Sequence, residues 1–193
     1  RDDVRLTGSY AKVDLPDSGL TIDNRGAALS ITHAFSEATS LSAFGGPKWI
    51  DQTLRFGSGS LSDSQIIWSF GGSMRTKWMD GQASLGANRD VNVSGLGFLV
   101  RTDRLFASIS KELTETITVS LAGQVLFVER IPVQNEGLQS FETRVVTAIP
   151  TATWRLNDWW SLEASYTYAH RMTGATDATI IGIGHSTFLK LTS

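Results

Sequence analysis

Histidine is the side chain best suited to acid–base chemistry here, because the 193 residues include three histidines and no cysteine. His33 and His185 alternate in phase with apolar residues, which predicts an outward position rather than a catalytic one. Hydrolysis would need a histidine beside a nucleophilic serine or a set of carboxylates. His170 is followed by Arg171, and no such partner accompanies it in the sequence. We therefore predict that the protein is not an enzyme.

The sequence also predicts no metal site and no cofactor. The absence of cysteine excludes disulfides, thiolate metal sites and iron–sulfur clusters. The aspartates Asp90, Asp103 and Asp177 do not have the spacing of a calcium-binding loop.

Six charged residues share the polar phase of their segments and form the candidate site. They are Arg75, Lys77, Arg155, Glu163, Arg171 and Lys190. Five are cationic and one is anionic, so a channel lined by them would favour anions. The alternative is a structural network in which these arginines pair with Glu163 and with the acidic residues of the turns.

The segments that carry these residues alternate between apolar and polar positions. From Trp160 to Tyr168, every second residue is apolar, and the residues between them are mostly small or polar. This period of two predicts strands with one apolar and one polar face. Ten segments show it, at roughly 3–13, 25–35, 40–49, 66–78, 82–90, 103–111, 117–127, 143–156, 160–169 and 179–192.

Short acidic turns and longer polar connections alternate between these strands. The turns contain Glu37, Asp80, Glu115 and Asp158, at spacings of about 43, 35 and 43 residues. The longer connections are predicted at 14–24, 50–65, 91–101, 129–141 and 172–178. Short turns at one end and long loops at the other are typical of an up-and-down antiparallel barrel. A solenoid is the alternative, although solenoids fix their glycines or leucines more strictly.

Aromatic residues decide between a soluble barrel, apolar inside, and a membrane barrel, apolar outside. Tryptophan and tyrosine cluster near the ends of the apolar face, as in the interfacial girdles of membrane barrels. The girdle is predicted from Trp68, Trp78, Trp154, Trp159, Trp160, Tyr166 and Tyr168. We therefore predict an all-β, up-and-down antiparallel transmembrane β-barrel of about ten strands, forming a single domain over residues 1–193.

Charge, hydropathy and the first residues narrow the class of protein further. The net charge of −2 argues against a nucleic-acid partner. No apolar run approaches the length of a membrane-spanning helix. The chain opens on Arg1-Asp2, which suggests a processed protein or a fragment.

From about Ile66 onward, the chain resembles uncharacterised bacterial outer-membrane β-barrel proteins, including those associated with exosortase sorting systems. The resemblance lies in 92–97 leading into Arg104-Leu105, in 108–121, in 150–171 and in the closing 188–193. These motifs are mostly strand patterning. Longer members of this family carry more chain before this region, so the resemblance also suggests that the ten strands are part of a larger barrel. Barrels of this kind usually end on an aromatic residue, whereas this chain ends Leu191-Thr192-Ser193, which suggests a trimmed terminus.

This resemblance and the strand pattern imply a location in the outer membrane of a Gram-negative bacterium. The expected function is a small passive pore, or the membrane-embedded component of a transport or export assembly. The alternative is a scaffold barrel that presents extracellular loops or anchors a periplasmic partner, and an outer-membrane hydrolase comes third. Outer-membrane lipid is an expected partner, and a periplasmic or cell-surface protein is a further one.

Overall fold

A computed structural model describes residues 2–15, 19–57, 59–93, 99–131, 142–175 and 178–192. They form ten strands: β1 (Asp2–Leu15), β2 (Leu20–Ala34), β3 (Thr39–Phe56), β4 (Gly59–Trp78), β5 (Gly81–Val93), β6 (Leu99–Glu112), β7 (Ile117–Arg130), β8 (Glu142–Arg155), β9 (Ser161–Ala175) and β10 (Ala178–Thr192). Every segment predicted from the alternation overlaps one of these strands.

The ten strands form one sheet in which each strand pairs with the next along the chain. All nine pairings are antiparallel, and the order from β1 to β10 follows the sequence. The prediction of an all-β, up-and-down antiparallel architecture of ten strands is therefore confirmed. Within the described ranges, β1 and β10 are the two edges of the sheet.

The loop predicted at 50–65 is wrong. β3 and β4 remain paired to the end of the hairpin, where Phe56 faces Gly59 across the turn. Gly57 has a φ of 54°, a left-handed conformation that glycine adopts without steric cost. Residues 60–65 carry polar side chains on both faces, so their strand has little of the hydropathy alternation by which sequence identifies strands. Backbone pairing with β3 makes this segment a strand.

Three of the four acidic turns have the same hydrogen-bonded structure. A serine, threonine or asparagine precedes the acidic residue, at Ser36, Thr114 and Asn157. In each turn its side-chain oxygen accepts hydrogen bonds from the backbone N–H groups two and three residues later, at 2.8 to 3.3 Å. These residues are common in turns because they bond to nearby backbone in this way. The fourth turn, at Met79-Asp80, has only two residues.

The register divides the side chains of the sheet between two faces. The face with Leu85, Leu105 and Leu121 is called the apolar face, and the face with Ser84, Ser108 and Ser120 is called the polar face. Many large apolar side chains of the apolar face are exposed, including Leu6 at 78% and Leu85 at 60%. The end of the sheet with the acidic turns is called the turn end, and the opposite end is called the loop end.

Removing one turn oxygen should weaken the fold by a small, measurable amount. Thr114→Ala leaves the N–H groups of Thr116 and Ile117 without their side-chain acceptor, so we expect a loss of about 1 kcal/mol in the free energy of unfolding. Urea unfolding of the protein in lipid vesicles measures this loss. Thr114→Ser keeps the oxygen and should unfold like the unmodified protein, and equal losses in both variants would contradict the role of the hydroxyl.

Candidate functional site

The register places all six candidate charged residues on the polar face. The set comprises Arg75, Lys77, Arg155, Glu163, Arg171 and Lys190. Arg75 pairs with Ser84 of β5, and Lys190 pairs with Glu163 between β10 and β9. Sequence phase grouped residues of β4, β8, β9 and β10 that the register places on one face. Whether this face lines a pore stays a prediction.

The contacts of these residues are with neutral groups. Arg75 donates a hydrogen bond to the side-chain oxygen of Gln82, and Arg155 donates to the backbone oxygen of Glu115 at 2.7 Å. Arg171 donates to the hydroxyl of Thr173 at 3.2 Å. In the part of the chain that the structure describes, none of the six candidates forms an ion pair within 4.0 Å. The alternative of a structural ion-pair network therefore finds no support in these contacts.

Charged residues missed by the sequence analysis extend this face. Among the described residues, the further cations are Arg5, Lys48, Arg104 and Arg130, and the acids beside Glu163 are Asp3, Asp63, Asp90 and Glu112. Arg5 was noticed in the sequence but had no firm position. Most of the others lie near strand ends, where the polar sequence gives no clear phase, and only the register assigns them to a face.

Phe44 and Phe106 lie on the polar face, against the binary pattern. Their rings cover glycines of the neighbouring strands: a Cβ on Gly86 would lie 2.5 Å from Phe106, and one on Gly71 would lie 2.7 Å from Phe44. The guanidinium of Arg104 stands 5.0 Å from the centre of the Phe106 ring. Each glycine is the direct cross-strand partner of the phenylalanine that covers it, so the register rather than the sequence reveals a ring that packs flat along this face.

Five members of the predicted girdle lie on the apolar face, and two lie in a turn. Trp68, Trp78, Trp154, Tyr166 and Tyr168 share the apolar face. Trp159 and Trp160 belong to the turn between β8 and β9, with exposed fractions of 78% and 44%. Their function as an interfacial girdle remains a prediction.

Charged residues on β5, β6 and β7 mark where the uncharged part of the apolar face ends towards the loop end. Arg89 donates two hydrogen bonds to Asp103, at 2.6 and 2.9 Å, and Arg101 bonds to Glu129 on the next strand. At the turn end of β6, the same face carries Lys111, whose Nζ lies 3.4 Å from Asp80. On β6 the uncharged stretch between Lys111 and Asp103 spans roughly 20 Å of height after tilt, which matches the apolar band of a membrane barrel.

The three histidines lie on the apolar face, as their phase predicts. His33 bonds to Asp2 near the turn end, and His185 bonds to the hydroxyl of Tyr166. His170 lies diagonally across from His185, because Ile183 is its direct partner in the register. Strand pairing therefore brings two histidines that are 15 residues apart in the sequence to neighbouring positions on this face.

Neither a metal centre nor a membrane-spanning helix is found in the described segments. No group of three or more histidines, cysteines or carboxylates there is arranged to hold a metal ion. No helix in the described residues has the length and apolar character to cross a membrane.

Among the solved structures that share this fold are two of OmpT, an outer-membrane protein of Vibrio cholerae. One is the protein expressed in the outer membrane, and the other was folded in vitro. Their TM-scores are 0.51 and 0.52 at 11% sequence identity, and each match covers 96% of this chain. The chain spans 64% of the length of the OmpT chain. The sheet thus has the fold of outer-membrane β-barrels.

No family model and no curated protein sequence matches this chain. The resemblance to barrels associated with exosortase systems therefore stays a prediction.

Arginine substitutions on neighbouring residues of one strand test which face meets lipid. Leu121 lies on the apolar face of β7, and Ser120 lies on its polar face. Leu121→Arg should lower the stability of the assembled protein by roughly 2–4 kcal/mol if its position is near the midplane of a bilayer. Ser120→Arg should assemble normally. Unfolding in lipid vesicles measures both, and equal losses would show that the apolar face does not meet lipid.

Proposed function

We propose that this chain is a pore-forming barrel, or the pore-forming part of one, in the outer membrane of a Gram-negative bacterium. The proposal rests on one observation above all: a cation-rich polar face lies behind an apolar face that has aromatic residues near its ends. The neighbours' fold supports the membrane location. In hydrocarbon both edges of the sheet must be paired, because unsatisfied backbone groups there cost several kcal/mol each.

The balance of charge on the polar face supports anion preference. In the described segments, the register assigns nine cations and five carboxylates to this face. The cations are Arg5, Lys48, Arg75, Lys77, Arg104, Arg130, Arg155, Arg171 and Lys190, and the carboxylates are Asp3, Asp63, Asp90, Glu112 and Glu163. Walls of low dielectric constant concentrate the field of such charges inside a channel.

The contacts of the candidate residues favour a conducting lumen over a salt-bridged plug. Arg75 and Arg155 bond to neutral oxygens, so their positive charge is not cancelled by a carboxylate within 4.0 Å. A cation that keeps its charge and lines a lumen attracts anions from solution. The substrate class we propose is therefore small hydrophilic anions that cross passively.

Conductance in planar bilayers tests this function. The unmodified protein should give discrete steps with a mild preference for chloride over potassium. Higher salt should weaken this preference, because the screening length falls to about 3 Å at 1 M. The variant Arg75→Glu/Arg155→Glu should shift the reversal potential towards cation preference.

Lys111→Glu is the matched control for that variant. Lys111 lies on the apolar face at the same end of the sheet, so its substitution should leave ion preference unchanged. Folded protein that produces no steps would contradict the pore and favour a scaffold function. Equal shifts in the control and the double variant would show that the polar face does not line the lumen.

Membrane barrels have short periplasmic turns and longer extracellular loops, so we predict that the turn end faces the periplasm and the loop end faces the cell exterior. Single cysteines test this orientation, since the chain has none. Ser60 lies in the long β3–β4 hairpin at the loop end, and Asp158 lies in a turn at the opposite end. On intact cells, a membrane-impermeant maleimide should label Ser60→Cys and should spare Asp158→Cys until the outer membrane is permeabilised. The reverse pattern would invert the orientation, and labelling of neither variant before permeabilisation would exclude a surface-exposed loop end.

A further inference from the structure

β5 separates from β4 near the loop end of the sheet. Their pairing ends where Phe70 faces Arg89. β4 then continues to Gly59 in partnership with β3 alone, and β5 continues to Val93 in partnership with β6 alone. The sheet therefore splits at this end into one part that runs from β1 to β4 and a second part that begins at β5.

Buried side chains show how the two parts lie against each other. Val91 and Leu99 belong to the apolar-face phase of β5 and β6, yet they are 0% and 1% exposed. They cluster with Ile22 and Ile50, which have the polar-face phase of β2 and β3, and Ile67 packs against the cluster. The outer side of the β5–β6 end thus packs on the polar face of β2–β4. In a barrel, that position is inside the mouth.

An ion pair joins the two parts at the same place. Nζ of Lys48 on β3 donates to the carboxylate of Asp90 on β5 at 2.6 Å and to the backbone oxygen of Val91 at 3.0 Å. The hydroxyl of Ser69 on β4 donates to the same carboxylate at 3.1 Å. The Lys48 side chain is only 18% exposed, so water screens this pair less than it screens a surface pair.

We propose that the infolded end of β5 and β6 forms the constriction of the pore, and that the Lys48–Asp90 pair determines its width and its ion preference. This inference rests on the proposed pore function. The buried cluster of Ile22, Ile50, Val91 and Leu99 holds the infolded end on the inner wall. The ion pair fixes the edge of the infolded end at Asp90. Because the two charges neutralise each other, the intact constriction adds little to the anion preference of the wider lumen.

Opposite charge deletions at this pair distinguish a constriction from a merely structural contact. Lys48→Met leaves the carboxylate of Asp90 at the narrowest point, and Asp90→Asn leaves the ammonium group of Lys48 there. Each should raise the single-channel conductance about two-fold, because the edge of the infolded end is released. Their reversal potentials should move in opposite directions, towards cations for Lys48→Met and towards anions for Asp90→Asn.

Two further variants separate the ion pair from general damage to the fold. Lys48→Arg keeps a cation opposite Asp90 and should conduct like the unmodified protein. Lys12→Met removes the lysine of an exposed pair on the apolar face, 3.7 Å from Asp14, and should change neither property. If all four variants behave alike, or if both charge deletions shift the reversal potential in one direction, the pair does not control the constriction.

Cross-linking tests the placement of the infolded end without any conductance measurement. In the cysteine-free chain, a short bifunctional thiol reagent should join Ile67→Cys to Val91→Cys, since Ile67 packs against the buried cluster that contains Val91. Ile66→Cys with Val91→Cys is the control, because Ile66 is 63% exposed on the opposite face and should not cross-link.

Conductance and cross-linking test the pore and the infolded constriction independently of each other. Efficient cross-linking in a protein that never conducts would overturn the pore and leave the packing of the β5–β6 end intact. Conductance without cross-linking of the Ile67→Cys pair, or with equal cross-linking of the control, would overturn the infolded constriction and leave the proposed pore standing.

Discussion

Backbone pairing along nine consecutive antiparallel ladders is the interaction on which the rest of this structure depends. Side chains of a strand alternate strictly between faces, and a slip of one residue would exchange the two faces of that strand. The register keeps Arg75, Arg155 and Lys190 on one face, although they lie on three different strands. Backbone hydrogen bonds set the register, and the register decides which charged side chains would face a lumen.

The same ladders explain how charged residues occur on both faces without conflict. On the apolar face, charges such as Arg89 and Lys111 lie at strand ends, where water or lipid headgroups would solvate them. On the polar face, Arg75 and Arg155 keep their charge because their hydrogen-bond partners are neutral oxygens. A charge in hydrocarbon is costly, whereas a charge on a wet inner wall contributes to selectivity.

The sheet is not continuous at the loop end, because β4 and β5 are no longer paired through their backbones there. Side-chain packing joins them instead. Beyond Arg89, β5 has no ladder with β4, and burial of Val91 against Ile50 replaces it. Asp90 is drawn into the same contact and accepts hydrogen bonds from Lys48 and Ser69. The hydrophobic effect drives this packing, and the apolar side chains that are buried among the described residues all belong to it.

Hydropathy with a period of two determined the number of strands, their antiparallel order and the face of most side chains. The pattern is local, so it was sufficient for Glu163 and Arg171, which lie in strongly alternating segments. It was insufficient where polar residues occupy both faces, as at 60–65, because pairing with β3 rather than hydropathy makes that segment a strand. The repeated turns at Ser36, Thr114 and Asn157 were visible as acidic motifs, but the shared hydrogen bonds became evident only in the structure.

Tertiary structure alone decided the contacts between residues distant in the chain. Lys48 and Asp90 are 42 residues apart, and no spacing or motif indicates that they meet. Val91 and Leu99 have the phase of exposed residues, and only the separation of β5 from β4 buries them. Alternation specifies which way a side chain points from its own strand, whereas the surface it meets depends on how the whole sheet curves and folds onto itself.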